Sequence, residues 1–153
     1  MLKFLSAAFL ALMVLVTGPG FAASPAEQAE AMVNKAIKHY QTVGKDKAFA
    51  DFGDTTNKEW VDGEWYVLVV DANTGIALAY YDPKMINNPA IPDLKDVEGR
   101  FIIKDAIAAA NKGANGDWAS YVWRNPATKK LGKKNSFAKK FDEKVFVVGY
   151  YEN

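Results

Sequence analysis

The order of the apolar patterns along the chain limits the folds that it can adopt. Residues 25–43 and 45–52 carry apolar side chains at the three- and four-residue spacing of helices, and Ser24 with Glu27 predicts a capping box at the first start. Segments rich in aromatic and β-branched residues then predict five strands, at 65–70, 76–80, 118–124, 134–141 and 144–150. A further helical pattern, at 100–112, lies between the second and third of these strands. Helices first and strands afterwards, with one helical insertion, predict an α+β domain with a five-stranded antiparallel sheet.

The first 22 residues have the pattern of a secretory signal peptide. Lys3 is followed by an apolar run at 4–16, interrupted only by Ser6, and then by a Gly-Pro-Gly break. The run is shorter than the roughly 20 residues that span a bilayer, which argues against the alternative of an uncleaved anchor. We expect cleavage after Ala22 or Ala23. Residues 23–153 would then form one domain with no membrane span, in the periplasm or secreted.

The composition excludes several kinds of chemistry. The 153 residues include no Cys and a single His, His39, and 19 basic side chains balance 18 acidic ones. Disulfides and thiolate sites are therefore excluded, and nucleic acid is a poor candidate partner. Ser120 and Ser136 do not lie in a nucleophile motif, and the turn at 71–75 has its glycine one position too early for a calcium loop. We expect no catalytic residues, no metal and no cofactor.

The aromatic residues suggest a lined pocket. Seven tyrosines and four tryptophans are present, and most of them fall on the predicted strands. Their polar groups need partners when buried, so the set fits a pocket wall, although aromatics at the rim of an ordinary core remain an alternative. Tyr121 and Trp123 would share one face of their strand. The segment 82–99 contains three prolines and predicts a long loop, of the kind that is often functional.

Several motifs, in this order, resemble the single Cache domain, an extracellular PAS-like sensor module. They are GKDKAFADF (44–52), WVDGEWYVLVVDANTGIALAYY (60–81), DLKDVEGRFIIKDAI (93–107), WASYVWRNP (118–126), KKNSFAKKF (133–141) and VGYY (148–151). The chain departs from the family pattern where Tyr80-Tyr81-Asp82-Pro83 replaces the usual His-Pro, and where Glu98-Gly99 replaces Asp-Gly. Both departures lie beside the expected pocket, so the identity of the ligand does not carry over.

The resemblance implies a PAS-like sheet with a long N-terminal helix on one face. A small-molecule pocket is implied on the other face, under the loop and helix inserted between the second and third strands. Family members that bind ligands often take small organic acids or amino acids. We expect Lys134 to be the main anion contact, with Arg100 as its rival. The expected walls of the pocket are Tyr66, Tyr80, Tyr121, Trp123 and Tyr150.

These patterns favour an exported, sensor-type binding module for a small anionic or zwitterionic ligand, of the kind used in chemotaxis-related signal transduction. We expect it to have no output domain of its own. The alternative is a ligand-free protein-interaction module that docks on a membrane receptor, kinase or transporter. An enzyme is disfavoured because no nucleophile is paired with a base.

Overall fold

The computed structural model describes residues 22–152, so almost all of the expected signal peptide lies outside the described residues. Its helices are α1 (Pro25–Val43), α2 (Lys45–Gly53) and α3 (Ile102–Ala110). The capping box at the start of α1 is formed: the Glu27 amide donates to Ser24 Oγ over 3.2 Å, and the Ser24 amide donates to Glu27 Oε2 over 2.7 Å. No helix within 22–152 has the length and apolar character needed to cross a bilayer.

A five-stranded antiparallel sheet forms the centre of the domain, as the sequence predicts. Its strands are β3 (Leu68–Asp71), β4 (Ala77–Ala79), β5 (Asp117–Arg124), β6 (Leu131–Phe141) and β7 (Lys144–Tyr151). Their spatial order is β4-β3-β7-β6-β5, which places β7 and β6 in the interior of the sheet. The α3 helix lies between β4 and β5 in the sequence, where the inserted helix was expected.

The predicted strand at 65–70 is wrong in one respect, because the structure divides it. β2 (Trp65–Tyr66) pairs with β1 (Val61–Asp62) in a separate two-stranded sheet, and only Leu68–Asp71 joins the main sheet. The two residues between β1 and β2 include Gly63, which has a φ of 59°. A tight turn at this point pairs Trp65 with Asp62 and Tyr66 with Val61, in place of a pairing with the main sheet.

The two faces of the main sheet are covered by different elements. One face packs against α1 and α2, where Val33 and Ile37 meet strand residues such as Val69 and Phe146. The other face packs against α3 and the segment before it. This second face also carries the cavity described below.

The long loop predicted between β4 and α3 is ordered by local hydrogen bonds. It contains two short 3-10 turns, Pro83–Met85 and Ile91–Asp93. The carboxylate of Asp96 accepts hydrogen bonds from the Glu98 and Arg100 amides and, through its other oxygen, from the Val122 amide of β5, each over 2.9 Å. Asp96 therefore ties the end of the loop to the edge of the sheet, which holds the loop over the second face.

Candidate functional site

The site is centred on Lys134, near the start of the interior strand β6. The strand register places Lys134 directly opposite Tyr121 on β5 and Tyr151 on β7. Directly opposed residues of antiparallel strands project to the same face, so these three side chains lie together on the face covered by α3. Lys134 is only 2% exposed, which is rare for a lysine.

The ammonium group of Lys134 is surrounded by tyrosines. Its Nζ donates a hydrogen bond to the Tyr66 hydroxyl over 2.5 Å and lies 3.8 Å from the centre of the Tyr66 ring. The Tyr151 ring centre is 4.9 Å from the same nitrogen. Aromatic faces attract a cation, so the two rings partly offset the loss of water around the charge.

Tyr66 reaches this position because the β1–β2 turn carries it across the end of the sheet. There it joins Tyr80 and Tyr81, which follow β4, with ring centres 5.3 Å and 4.8 Å away. Tyr66, Tyr80 and Tyr81 thus form an aromatic cluster beside Lys134.

The floor of the site is polar and closely packed. The hydroxyls of Tyr121 and Ser136 are 2.8 Å apart, and Ser136 is fully buried. Gly149 lies opposite Ser136 in the β6–β7 pair. A Cβ at position 149 would come within 2.7 Å of Lys134 Cε, so glycine is what allows the lysine stem to cross β7.

These residues enclose a small cavity of about 30 Å³. Apolar side chains from the loop and α3 close it, including Met85, Ile91, Leu94, Ile102 and Ile103. Lys134 is the only charged residue among those described that line the cavity. A mostly apolar space with one basic group and several hydroxyls is suited to one small anionic group with a short apolar remainder.

Burial dominates the electrostatics of the site. It lowers the pKa of Lys134 to about 7, against a smaller opposing effect of the Glu64 carboxylate. Burial raises the pKa of Tyr121 to about 12 and holds those of Tyr66 and Tyr80 well above their usual value, so these hydroxyls stay protonated. Lys134 therefore has neutral neighbours, and its own charge is easily lost.

The structure brings together five of the seven residues that the sequence suggested for the pocket: Tyr66, Tyr80, Tyr121, Trp123 and Lys134. It leaves out Arg100, whose guanidinium donates to the Ser120 carbonyl over 3.1 Å beside the edge strand, and whose side chain is 55% exposed. The short stretch between Asp96 and the start of α3 holds Arg100 against the backbone of β5 and directs it away from the cavity.

Tyr150 is also outside the cavity. Its ring packs 5.8 Å from that of Trp118, in the cluster under α1. Side chains alternate along a strand, so Gly149 and Tyr151 face the cavity and Tyr150 faces the helix. The expectation that Tyr150 forms a wall of the cavity is wrong by one residue along β7.

Sequence reasoning missed Tyr151, Ser136 and Gly149. A signal for Tyr151 was available, because Phe141 pairs with Lys144 across the two-residue turn Asp142-Glu143. Counting outward from a two-residue turn places Tyr151 opposite Lys134. Ser136 follows from Lys134 by alternation, but the need for glycine at 149 depends on the path of the lysine stem, which no local pattern shows.

Within residues 22–152 no group of three or more His, Asp or Glu side chains is placed to hold a metal ion. His39 instead pairs with Asp51 over 2.8 Å on the other side of the molecule, between α1 and α2. The cavity therefore offers hydrogen bonds and one charge for binding.

The comparisons with known proteins agree with this architecture. The family model of the Cache domain matches residues 54–153. The chain belongs to the Cache domain family, whose members are sensory modules that bind small molecules. No match is found among curated protein sequences.

Three solved structures share the fold. A methyl-accepting chemotaxis protein from Vibrio parahaemolyticus has a TM-score of 0.63 and 18% identity, over 82% of this chain and 87% of that one. A periplasmic sensor domain of a chemotaxis protein has a TM-score of 0.60 and 15% identity, over 83% and 90% of the two chains. A Cache chemosensory domain described for carboxylic acid recognition has a TM-score of 0.60 and 15% identity, over 82% and 87%.

Proposed function

We propose that this protein is an exported, sensor-type module that binds a small organic acid or amino acid through its carboxylate, in the cavity around Lys134. The observation that carries the proposal is the buried amino group of Lys134, which lines a small cavity together with hydroxyls and apolar groups. Burying a charged lysine costs folding free energy unless a negative group compensates the charge. Titratable groups in such environments are often found at functional sites. The solved Cache domain described for carboxylic acid recognition supports the same ligand class.

Each group of the cavity has a role in this proposal. Lys134 supplies the charge, as a point cation that does not fix the orientation of the ligand. The Tyr66 hydroxyl and the Tyr121–Ser136 pair supply hydrogen bonds that orient the carboxylate. The aliphatic side chains of the loop and α3 would cover the remainder of the ligand. The cavity has room for about two water molecules, so an acid or amino acid of two to four carbons would bind only if the side chains that line it move apart.

A thermal-shift screen of the mature protein tests the proposal. The panel contains acetate, propionate, butyrate, lactate, pyruvate, succinate, glycine and alanine. A ligand present at 100 times its dissociation constant stabilises the folded state by about 2.7 kcal/mol, which raises the melting temperature on the order of 10 °C for a domain of this size. We expect at least one acid or amino acid to give such a shift.

The absence of any shift would favour the protein-interaction alternative. One observation speaks for that alternative: the cavity is small, at about 30 Å³, because side chains from both the sheet and the loop pack closely around it. A module of this kind would use its fold as a docking surface for a membrane receptor, kinase or transporter. It would give no response to any compound in the panel.

A further inference from the structure

Lys134 is buried without an acidic partner. None of the ion pairs among residues 22–152 includes it, although nine such pairs are present. The groups that face it from the neighbouring strands are the hydroxyls and rings of Tyr66 on β2, Tyr121 on β5 and Tyr151 on β7. Ser136 faces it from its own strand, and Tyr80 adds a further hydroxyl.

The loop and α3 contribute no charge to the cavity, because the side chains that they place there are aliphatic. The one acidic group that acts on Lys134 is Glu64, in the β1–β2 turn. Its carboxylate is engaged elsewhere, since Glu64 Oε2 accepts a hydrogen bond from Asn125 Nδ2 over 2.9 Å. Asn125 is itself held in place, because its Oδ1 accepts from the Ala127 amide over 2.8 Å. Glu64 is thus held at the end of β5 by Asn125, and it forms no ion pair with Lys134 in the described part of the chain.

Burial in a cavity of this composition shifts the balance of Lys134 from the ammonium ion toward the neutral amine, compared with a lysine in water. The tyrosine and serine hydroxyls can accept from either form, so what separates the two forms is the cost of burying an uncompensated charge. A bound carboxylate would supply the missing negative charge, and the ammonium form would then be strongly favoured. The charge states of ligand and lysine are coupled through this one contact.

We infer that the cavity takes up a proton together with the carboxylate, so that the protein responds to acidity as well as to the acid it binds. The inference rests on the proposed function and adds a second ligand, the proton, to the same site. The lowered pKa of Lys134, about 7 in the empty protein, places the coupling in the neutral range. At pH 6 Lys134 is already charged in the empty protein, so binding of the carboxylate takes up few protons. At pH 8 it is mostly neutral, and binding draws close to one proton from the buffer.

The affinity then depends on pH in a fixed direction. Above the pKa of the empty site, each unit of pH weakens carboxylate binding by up to about tenfold, because a proton must be supplied from a tenfold lower concentration. The dependence levels off below about pH 6. A module with this property would report the anion and the proton together, and its response would be greatest in acidic surroundings.

Isothermal titration calorimetry with the strongest binder of the panel tests this inference. Titrations at pH 8 in Hepes and in Tris, which differ in ionisation enthalpy, give the number of protons taken up from the difference in observed heat. At pH 6 the same comparison uses two buffers that are effective at that pH and differ in ionisation enthalpy. We expect close to one proton at pH 8 and less than about 0.2 at pH 6, with an affinity that falls about tenfold from pH 7.5 to pH 8.5. The neutral amide of the same acid should take up no proton at either pH.

The Glu64→Gln variant locates the proton. If Lys134 is the acceptor, the variant still takes up a proton at pH 8, and its affinity begins to fall at a lower pH than in the wild type. Loss of the uptake in Glu64→Gln would overturn the assignment to Lys134. An acid that binds with the same affinity at pH 7.5 and pH 8.5, and with the same heat in both buffers at pH 8, would overturn the inference. The proposed function would still stand. If no acid binds, both fail.

Discussion

Gly149 lies directly across the β6–β7 pair from Ser136, so close that a side chain there would overlap the serine hydroxyl. The same Cβ would meet the Asn135 carbonyl oxygen at 2.7 Å and Lys134 Cε at 2.7 Å. The carbonyl belongs to the backbone of an interior strand and has little freedom to move. Gly149 is therefore a condition for the buried position of Lys134.

The first prediction concerns Gly149→Ala. We expect the variant to lose about 1–3 kcal/mol in free energy of unfolding, because the added methyl overpacks the floor of the cavity, and to lose ligand binding because Lys134 is displaced. Gly132→Ala is the control, since Gly132 lies on β6 opposite Trp123 of β5, and a Cβ there would meet its nearest neighbour, Tyr151 Cδ1, at an ordinary 3.4 Å. Denaturant unfolding of both variants measures the difference. Equal stability of the two would contradict the packing that we describe.

Much of the fold could be predicted because its signals are local. The helical spacing and the capping box at Ser24 define α1 to the residue. The β3–β4 turn and the β6–β7 turn are likewise marked by short polar sequences. The division of the predicted strand at 65–70 was missed, although Asp62-Gly63-Glu64 between the apolar residues Val61 and Trp65 is a signal for a tight hairpin.

The site could be predicted only in part, because it depends on how distant strands pair. The position of Lys134 in the cavity was predicted from the family resemblance, and it depends on the register of the central strands. Tyr66 reaches the cavity from a separate small sheet. Arg100 and Tyr150 are residue types that suit the site, but their side chains point away from the cavity. The turn after Asp96 sets the direction of Arg100, and a shift of one residue along β7 sets that of Tyr150. Composition reveals neither.

The second prediction concerns Tyr66→Phe. The variant keeps the ring beside the ammonium group but removes the hydroxyl that accepts its hydrogen bond. We expect carboxylate affinity to fall by about fivefold, equivalent to about 1 kcal/mol for one hydrogen bond. Tyr150→Phe is the control, because Tyr150 faces α1 and its substitution should leave the affinity unchanged. Equal effects of the two substitutions, measured by calorimetry, would show that the hydroxyl of Tyr66 does not take part.

The third prediction concerns the stability of the empty protein between pH 7 and pH 9. The pKa of Lys134 is about 7 in the folded protein and close to 10.5 in an unfolded chain, so in this interval the unfolded chain binds more protons. The free energy of unfolding therefore rises with pH, by at most about 1.4 kcal/mol per unit. Lys134→Met should remove this contribution. Parallel pH profiles for the wild type and the variant, from urea unfolding, would show that Lys134 keeps its charge in the folded state.

The fourth prediction concerns export. We expect the mature protein to begin at Ala23 or Ser24, which leaves the Ser24–Glu27 capping box and the start of α1 intact. Intact-mass measurement of material from the periplasm or the medium decides between the two starts. A mass that includes residues 1–22 would contradict the signal-peptide interpretation.

The central claim is that Lys134 binds the carboxylate, and a matched pair of lysine substitutions tests it most directly. Lys133 is its neighbour on β6 but points the other way, with an exposed side chain that pairs with Glu152 at 2.9 Å. Calorimetric titration of Lys134→Met and Lys133→Met with the strongest binder of the panel isolates the buried charge. We expect Lys134→Met to remain folded and to lose at least thirtyfold in affinity, about 2 kcal/mol or more, while Lys133→Met binds like the wild type. Normal binding by Lys134→Met would contradict the assignment of this cavity as the ligand site.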